Sequence, residues 1–256
     1  MKDLPIATKR KHHSWLLFGA SGAGKTTLAA TAPRPIIVDS NQGTSSIEYA
    51  EGLEHVKRTP QITQMSQLDE VFDQLTGTGG DEDWRKRYDT PVFDSWDDMQ
   101  KLIHDRMVDK QLESGAEPDA EELDQIQLRQ YGQMYNQMSR YMRKMKKIPK
   151  HKIFICAEKR YEDKDMMWPD LIGQMKDKLP YLVDHTLYLR MSDKGVRYIH
   201  LNPKPGEWYA KTRLRWLPSE YRKIRFDLDD NTLLTDFFKL VAAGPDGLKD
   251  WKRRWK

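Results

Sequence analysis

Residues 19–26 read Gly-Ala-Ser-Gly-Ala-Gly-Lys-Thr, and no other stretch constrains the fold of this chain as tightly. The run fits G-x-x-x-x-G-K-[ST], follows a short apolar segment at residues 14–18, and opens a helical pattern at Thr27, Leu28, Ala29 and Ala30. That strand–loop–helix setting gives the motif physical meaning: its glycines let the backbone curl around a phosphate, with successive N–H groups turned inward. Gly19, Ser21, Gly22, Ala23, Gly24, Lys25, Thr26 and Thr27 are therefore the candidate phosphate-binding residues. Among them Lys25 would neutralise the β- and γ-phosphates, and the Thr26 hydroxyl would hold Mg²⁺. The motif predicts a site for a nucleoside triphosphate.

Around this loop, continuous apolar runs at residues 14–18, 35–38, 91–93 and 152–157 are each closed by a glycine or a polar residue. Continuous rather than alternating apolarity marks strands covered on both faces. With helical patterns between them, the chain predicts an α/β fold with a mainly parallel central sheet flanked by helices. Ligands of such sheets bind beyond the carboxyl ends of the strands, where the Gly19 loop, Asp39 and Asp94 fall. Asp94 closes Pro91-Val92-Phe93 and precedes Ser95. It is the expected second Mg²⁺ residue beside Thr26, although either Asp94 or Ser95 also suits a helix N-cap.

Leu123, Ile126, Tyr131, Met134, Met138, Met142, Met145 and Ile148 recur mostly at three- or four-residue steps. They predict an amphipathic helix ending at Pro149, its methionines in the core and its basic residues on the other flank. Residues 76–83 and 114–119 read as loops. Beyond residue 157 the pattern changes. Residues 159–180 are polar and charged, and residues 185–190, 196–201 and 207–211 read as short strands joined by turns at 192–195 and 202–206. They predict an antiparallel extension of the sheet.

The net charge of +4, from 43 Lys and Arg against 39 Asp and Glu, says less than its placement. Residues 140–160 carry Arg140, Arg143, Lys144, Lys146, Lys147, Lys150, Lys152, Lys159 and Arg160 against Glu158 alone. The segment 249–256 interleaves bases with Trp251 and Trp255, whereas 113–124 is acidic. Basic clusters beside aromatics suit a polyanion with stacking faces, a single-stranded nucleic acid; a solvated helix face and a frayed tail are the alternative. Aromatic residues at 10% of the chain argue against disorder. No apolar run approaches the ~18 residues of a membrane span. The basic N-terminus lacks the apolar core of a signal peptide, and the single Cys156 excludes an internal disulfide. A soluble protein of a reducing compartment, with no membrane association, is expected. The histidines show no metal-ligand spacing with one another or with Cys156.

Taken in order, GASGAGKTTLAA (19–30), PIIVDSNQG (35–43), PVFDS (91–95), HKIFICAE (151–158), LPYLVDHTLYL (179–189) and YAKTRLRWLP (209–218) resemble the RecA-like P-loop ATPases. The likeness is to the compact phage-type group that includes Sak-type single-strand annealing and recombination proteins. It implies a RecA-like P-loop NTPase fold over one domain, residues 1–256, with a core at about 14–240 and a basic, Trp-containing tail at 245–256. It implies ATP and Mg²⁺ as cofactors, hydrolysis at a subunit interface of a homo-oligomeric ring or filament, and annealing or strand exchange on single-stranded DNA. A single-strand binding protein is a further implied partner, and the cytoplasm, that of a bacterial host if the chain is phage-encoded, the implied location. Within Ala210-Lys211-Thr212-Arg213, the resemblance makes Lys211 and Arg213 bases that reach a neighbour's γ-phosphate; bases that keep an edge strand soluble are the alternative. It makes Glu158 a γ-phosphate sensor, completing with Lys25 and Asp94 the catalytic set, and residues 159–180 a mobile DNA-binding loop. Arg143, Lys144, Lys147, Lys159, Arg160 and Trp168 are the candidate nucleic-acid contacts.

One position departs from that family. Where it carries D-x-E-x-G, the glutamate orienting the attacking water, this chain has Asp39-Ser40-Asn41-Gln42-Gly43. An amide orients water but takes no proton, so slow turnover is expected, or a base elsewhere at Asp39, Glu48 or Glu158. Slow or absent hydrolysis keeps open a nucleotide-gated DNA- or partner-binding module. A small-molecule kinase would share the loop but needs a mobile basic lid, whereas most of the 140–160 cluster falls on a patterned helix. A GTPase needs an N-K-x-D base reader, which the chain lacks, and Asp170-Leu-Ile-Gly173 follows no apolar strand.

Overall fold

In a computed structural model that describes residues 12–48, 50–78, 84–113 and 128–251, the chain begins with β1 (Ser14–Gly19), α1 (Lys25–Ala30), β2 (Pro35–Asp39), α2 (Ser45–Glu48) and β3 (Lys57–Arg58). It continues through α3 (Met65–Thr76), α4 (Trp84–Arg87), β4 (Thr90–Asp94), α5 (Trp96–Glu113), α6 (Leu128–Lys146) and β5 (Lys152–Cys156). A hairpin of β6 (Glu158–Tyr161) and β7 (Met166–Pro169) follows, then α7 (Met175–Leu182) and β8 (His185–Met191). β9 (Arg197–His200), β10 (Lys223–Phe226), α8 (Leu233–Ala243) and α9 (Leu248–Trp251) complete the described chain.

Every residue of β1, β2, β4 and β5 is buried, as strands sandwiched between helix layers must be. They lie in one eight-stranded sheet of order β10-β9-β8-β1-β5-β4-β2-β3. Alternate side chains of a strand point to opposite faces, and this divides the core in two. Leu16, Phe18, Phe93 and Phe154 face Phe72 of α3, Trp96 and Ile103 of α5, and Met138 and Tyr141 of α6. Leu17, Ile37, Ile155 and Leu187 face Leu28 of α1 and Phe237 and Phe238 of α8. The methionine stripe of α6 is core: Met134, Met138, Met142 and Met145 are buried. Leu123, Ile126 and the 114–119 loop lie outside the described residues, as does most of the 76–83 loop.

The carboxyl-terminal third departs from the sequence reading in three places. β8 is parallel to β1, with Leu17 beside Leu187, so among the described strands of the eight-stranded sheet the antiparallel pairings are β8–β9 and β9–β10, while β6 and β7 pair antiparallel in a separate two-stranded sheet. Residues 207–211 make isolated bridges, Lys211 with Thr186 and Trp208 with Lys204, instead of a strand. Pro203 and Pro205 lack the N–H groups a ladder needs, and Lys223–Phe226 pairs with β9 instead. Residues 159–180 are not an open loop but a hairpin and a helix, pinned by buried Trp168, Met175 and Leu179.

Phe18 sits beside Cys156 and Asp39 beside Asp94, so the carboxyl ends of the central strands share one edge. The Gly19 loop emerges there. α4 and α6 instead lead into the amino ends of β4 and β5, at the opposite edge, roughly 13 Å of strand away. Among the described residues, no helix is long and apolar enough to cross a membrane.

Candidate functional site

β1 delivers the chain to the edge at Gly19, where a Cβ would stand 2.2 Å from the Leu189 carbonyl oxygen; only glycine fits against β8. Gly22 and Gly24 then turn the loop at φ 75° and 88°, left-handed values that glycine adopts without strain. Lys25 Nζ arches back and donates to the carbonyls of Gly19 (2.7 Å) and Ala20 (2.9 Å). Burial lowers its pKa, opposed by the charges of Asp94, Asp97 and Glu158.

Thr26 Oγ1 donates to Asp94 Oδ2 at 2.6 Å, joining the loop to the end of β4. Burial pushes the Asp94 carboxyl up to about 6; the Thr26 bond opposes this and nearby Asp39 adds to it. A hydroxyl and a buried carboxylate are hard oxygen donors that fit Mg²⁺. The cap of α5 falls to Ser95: Asp98 N donates to Ser95 Oγ at 3.3 Å, and Ser95 Oγ donates to Asp98 Oδ2 at 2.5 Å. Asp94 is thereby left to its partnership with Thr26.

These groups line a cavity of about 480 Å³. Ser21, Gly22, Gly24, Lys25, Thr26 and Thr27 form its loop side, while Gly19 and buried Ala23 stand behind the lining. Asn41, Asp94, Asp97, Ala157 and Leu228 face them. Sequence reasoning missed Asp97 and Leu228. Leu228 follows β10, is 37% exposed and lies against Gly24, an apolar wall contributed from far along the chain.

The carboxylates considered as substitutes for the missing glutamate are mostly engaged. Asp39 accepts from Asn41 N (3.2 Å), Gln42 N (2.8 Å) and Thr44 Oγ1 (2.6 Å), holding the loop after β2. Glu48 is ion-paired with Arg58. Glu158 opens β6 outside the cavity lining; it bonds Tyr188, whose pKa is driven up by burial and then by Glu158, while its own Oε2 is buried without a hydrogen-bond partner. Asn41 itself is tied down: Gly43 N donates to its Oδ1 at 2.7 Å, and its side chain also bonds Asp98.

The remaining candidates do not gather at this cavity. Lys211 bridges to Thr186, near the amino end of β8, and its Nζ donates to the carbonyls of Pro180 and Val183 (3.0 Å). Arg213 pairs with buried Asp184 at 3.2 Å. Both lie at the sheet edge opposite their own phosphate loop. Arg143, Lys144 and Lys147, at the end of α6, share that far edge. Lys144 lines one groove with Arg106, Arg140 and Arg143 and another with Arg85 and Lys147; Asp73 lines both, and Asp69 the first. Lys159 and Arg160 sit on β6 at the phosphate-loop edge, and Arg160 pairs with Asp165 at 2.6 Å. Trp168 is 6% exposed, donates Nε1–H to the Lys176 carbonyl at 2.6 Å and packs on Tyr209 at 4.1 Å. Its ring has no face for a base, which corrects the expectation that it stacks on a nucleic acid.

A glycine-turned loop bearing Lys25, with Thr26 tied to a strand-ending Asp94 at the carboxyl edge of a mainly parallel sheet, defines the class: a P-loop NTPase. A family model described as an AAA domain matches residues 11–214, and the chain belongs to that family of P-loop ATPase-like domains. The match supports nucleotide binding and ATPase activity. No curated protein matches the chain.

Proposed function

We propose that this chain is a Mg²⁺-dependent ATPase that acts on single-stranded DNA in phage-type recombination, annealing or exchanging strands as a homo-oligomer in a bacterial cytoplasm. The observation that carries the ATPase reading is the Thr26–Asp94 pair set beside Lys25 in one cavity. With ATP in place, Lys25 would exchange its two loop carbonyls for phosphate oxygens. Thr26 and Asp94 would hold the metal, whose charge screens the β- and γ-phosphates. Leu228 offers the base an apolar wall.

The polynucleotide reading is supported by Arg106, Arg140, Arg143, Lys144 and Lys147 outnumbering Asp69 and Asp73 along the exposed flank of α6. The interface reading is supported by Lys211 and Arg213 lying at the edge opposite their own site; to serve another subunit's they would exchange the Pro180 and Val183 carbonyls and Asp184 for its phosphates. Filter binding of single- and double-stranded DNA over a salt series, with ATP, ADP or no nucleotide, tests the proposal alongside phosphate release. Salt-steep, ATP-enhanced preference for single strands, with DNA-stimulated release, is expected; equal weak binding in all arms defeats the DNA reading. A second reading, a nucleotide-gated DNA- or partner-binding module that assembles without turnover, is favoured by the engagement of Asn41 with Gly43 and Asp98. Nucleotide-dependent oligomerisation without phosphate release would decide for it.

A further inference from the structure

Cleaving a phosphoanhydride with water requires an acceptor for the proton the water gives up, and neither end of Asn41 is one. Among the described residues, the cavity is lined by two carboxylates, Asp94 and Asp97. Asp94 is committed to Thr26 and the metal position. The neighbouring carboxylates are spent: Asp39 on three loop donors, Glu48 on Arg58, and Asp98 on Ser95, Lys101 and Asn41. Glu158 stands outside the lining.

Asp97 differs from Asp39, Glu48 and Asp98 in its partners, and from Glu158 in lining the cavity. It occupies the first turn of α5, held rigid by fully buried Trp96 and Met99. Its Oδ1 receives one long bond, 3.4 Å, from the N–H of Ala157 just past β5, and the Ser95 hydroxyl, whose proton goes to Asp98, lies near enough to lower its pKa slightly. No basic side chain is ion-paired with it among the described residues, yet its charge reaches Lys25. Burial, then neighbouring Asp98, raises its pKa, which strengthens it as a proton acceptor.

We infer that Asp97 is the general base that activates the water attacking ATP, replacing the glutamate that position 41 lacks; this rests on the ATPase reading above. The water oxygen forms a bond to the γ-phosphorus while the bond from that phosphorus to the β,γ-bridging oxygen breaks, its electron pair leaving with ADP. The proton lost by the water passes to the Asp97 carboxylate and from there to solvent. The role explains how a chain with Asn41 retains turnover.

The test compares wild type, Asp97→Asn, Asp97→Ala, Glu158→Gln and Lys25→Ala in two assays. One is calorimetric binding of ATP with Mg²⁺; the other is phosphate release, with and without single-stranded DNA. Asparagine keeps the shape of Asp97 and its acceptor for Ala157 N–H but cannot take the proton. Asp97→Asn is expected to bind ATP within threefold of wild type and to release phosphate about 10²–10⁴-fold more slowly. Added formate should restore part of the turnover of Asp97→Ala. Three results overturn the inference: Asp97→Asn retaining half of wild-type turnover, Asp97→Asn losing ATP binding in parallel with turnover, or Glu158→Gln alone showing the large loss. If wild type binds ATP, Lys25→Ala does not, and no enzyme releases phosphate, the ATPase reading fails and the base fails with it.

Discussion

Asp94 must carry charge in a place that resists it. Burial, countered in part by the Thr26 bond, holds its carboxyl at about 6 instead of the ordinary 3.8. The folded state therefore favours the protonated form, so between pH 4 and 6 the native protein binds more protons than the unfolded chain. The stability of the nucleotide-free protein should decline as pH rises through that window and remain lower above it. Asp94→Asn removes this cost. In metal-free buffer at pH 7.5 it should melt above wild type, by up to about 3 kcal/mol in stability, with the gap closing by pH 4. A variant that melts below wild type at pH 7.5 contradicts this account. Function should reverse the ranking, since Asparagine at 94 would lose Mg²⁺-dependent ATP binding. At this scale the phosphate loop and Asp94 were legible because eight contiguous residues and one strand-ending carboxylate specify their own local geometry. Asp97 was not: an Asp in the first turn of a helix has an ordinary explanation in the helix dipole, and only the nearness of Ala157 turns it toward the cavity.

α6 shows how an element announces one face and withholds the other. Its methionines at three- and four-residue steps identify the buried stripe, and Met138, with no exposure, packs near Phe72, Phe93 and Phe154. Met138→Ala should cost about 2–5 kcal/mol in urea denaturation. Arg143→Gln on the exposed flank should change stability by no more than about 0.5 kcal/mol. Equal effects would mean that the stripe is not the packing face. What the period does not reveal is the destination of the opposite flank. The residues 159–180 were harder still. They are polar and charged enough to resemble an exposed loop, but Lys164 pairs with Asp177 (2.7 Å) and Lys176 with Asp163 (3.3 Å). These pairs fold the charges onto one another over a buried tryptophan.

Across the whole molecule, the amino ends of β1, β5 and β8 bring His13, His151 and His185 together around Trp15 and Phe238. His185 stacks on Trp15 at 3.9 Å and shares a 2.9 Å bond with His13; His151 stacks on Phe238 at 4.3 Å. Asp184, Lys211, Arg213, Lys152 and Asp89 supply the surrounding charge. Burial, and then the neighbouring histidines, lowers His151 to about 3 and His185 well below its ordinary value. A base depressed in the fold stabilises the neutral form, so this contribution is complete above pH 6.5 and is lost as pH falls toward 3. His151→Phe should keep the ring stack and remove the titration. The melting temperature of wild type relative to His151→Phe should therefore drop progressively below pH 6.5, and a constant difference from pH 7 to 4 would refute this. No spacing rule finds such a cluster, because its members are scattered from residue 13 to residue 238 and meet only when the sheet and α8 assemble.

The sequence alone determined the chemistry of the phosphate loop, the parallel character of the sheet and the buried stripe of α6, because each is written in residues close together in the chain. It also exposed the weak point at Asn41. The order of the strands, β10-β9-β8-β1-β5-β4-β2-β3, decided the rest. That order places the α6 cations and Lys211 on one edge and Lys159 on the other, brings Leu228 to the nucleotide cavity and buries Trp168. Periodicity states which face of an element is apolar but carries no label for its neighbour, so contacts between distant segments are settled only when the sheet is assembled.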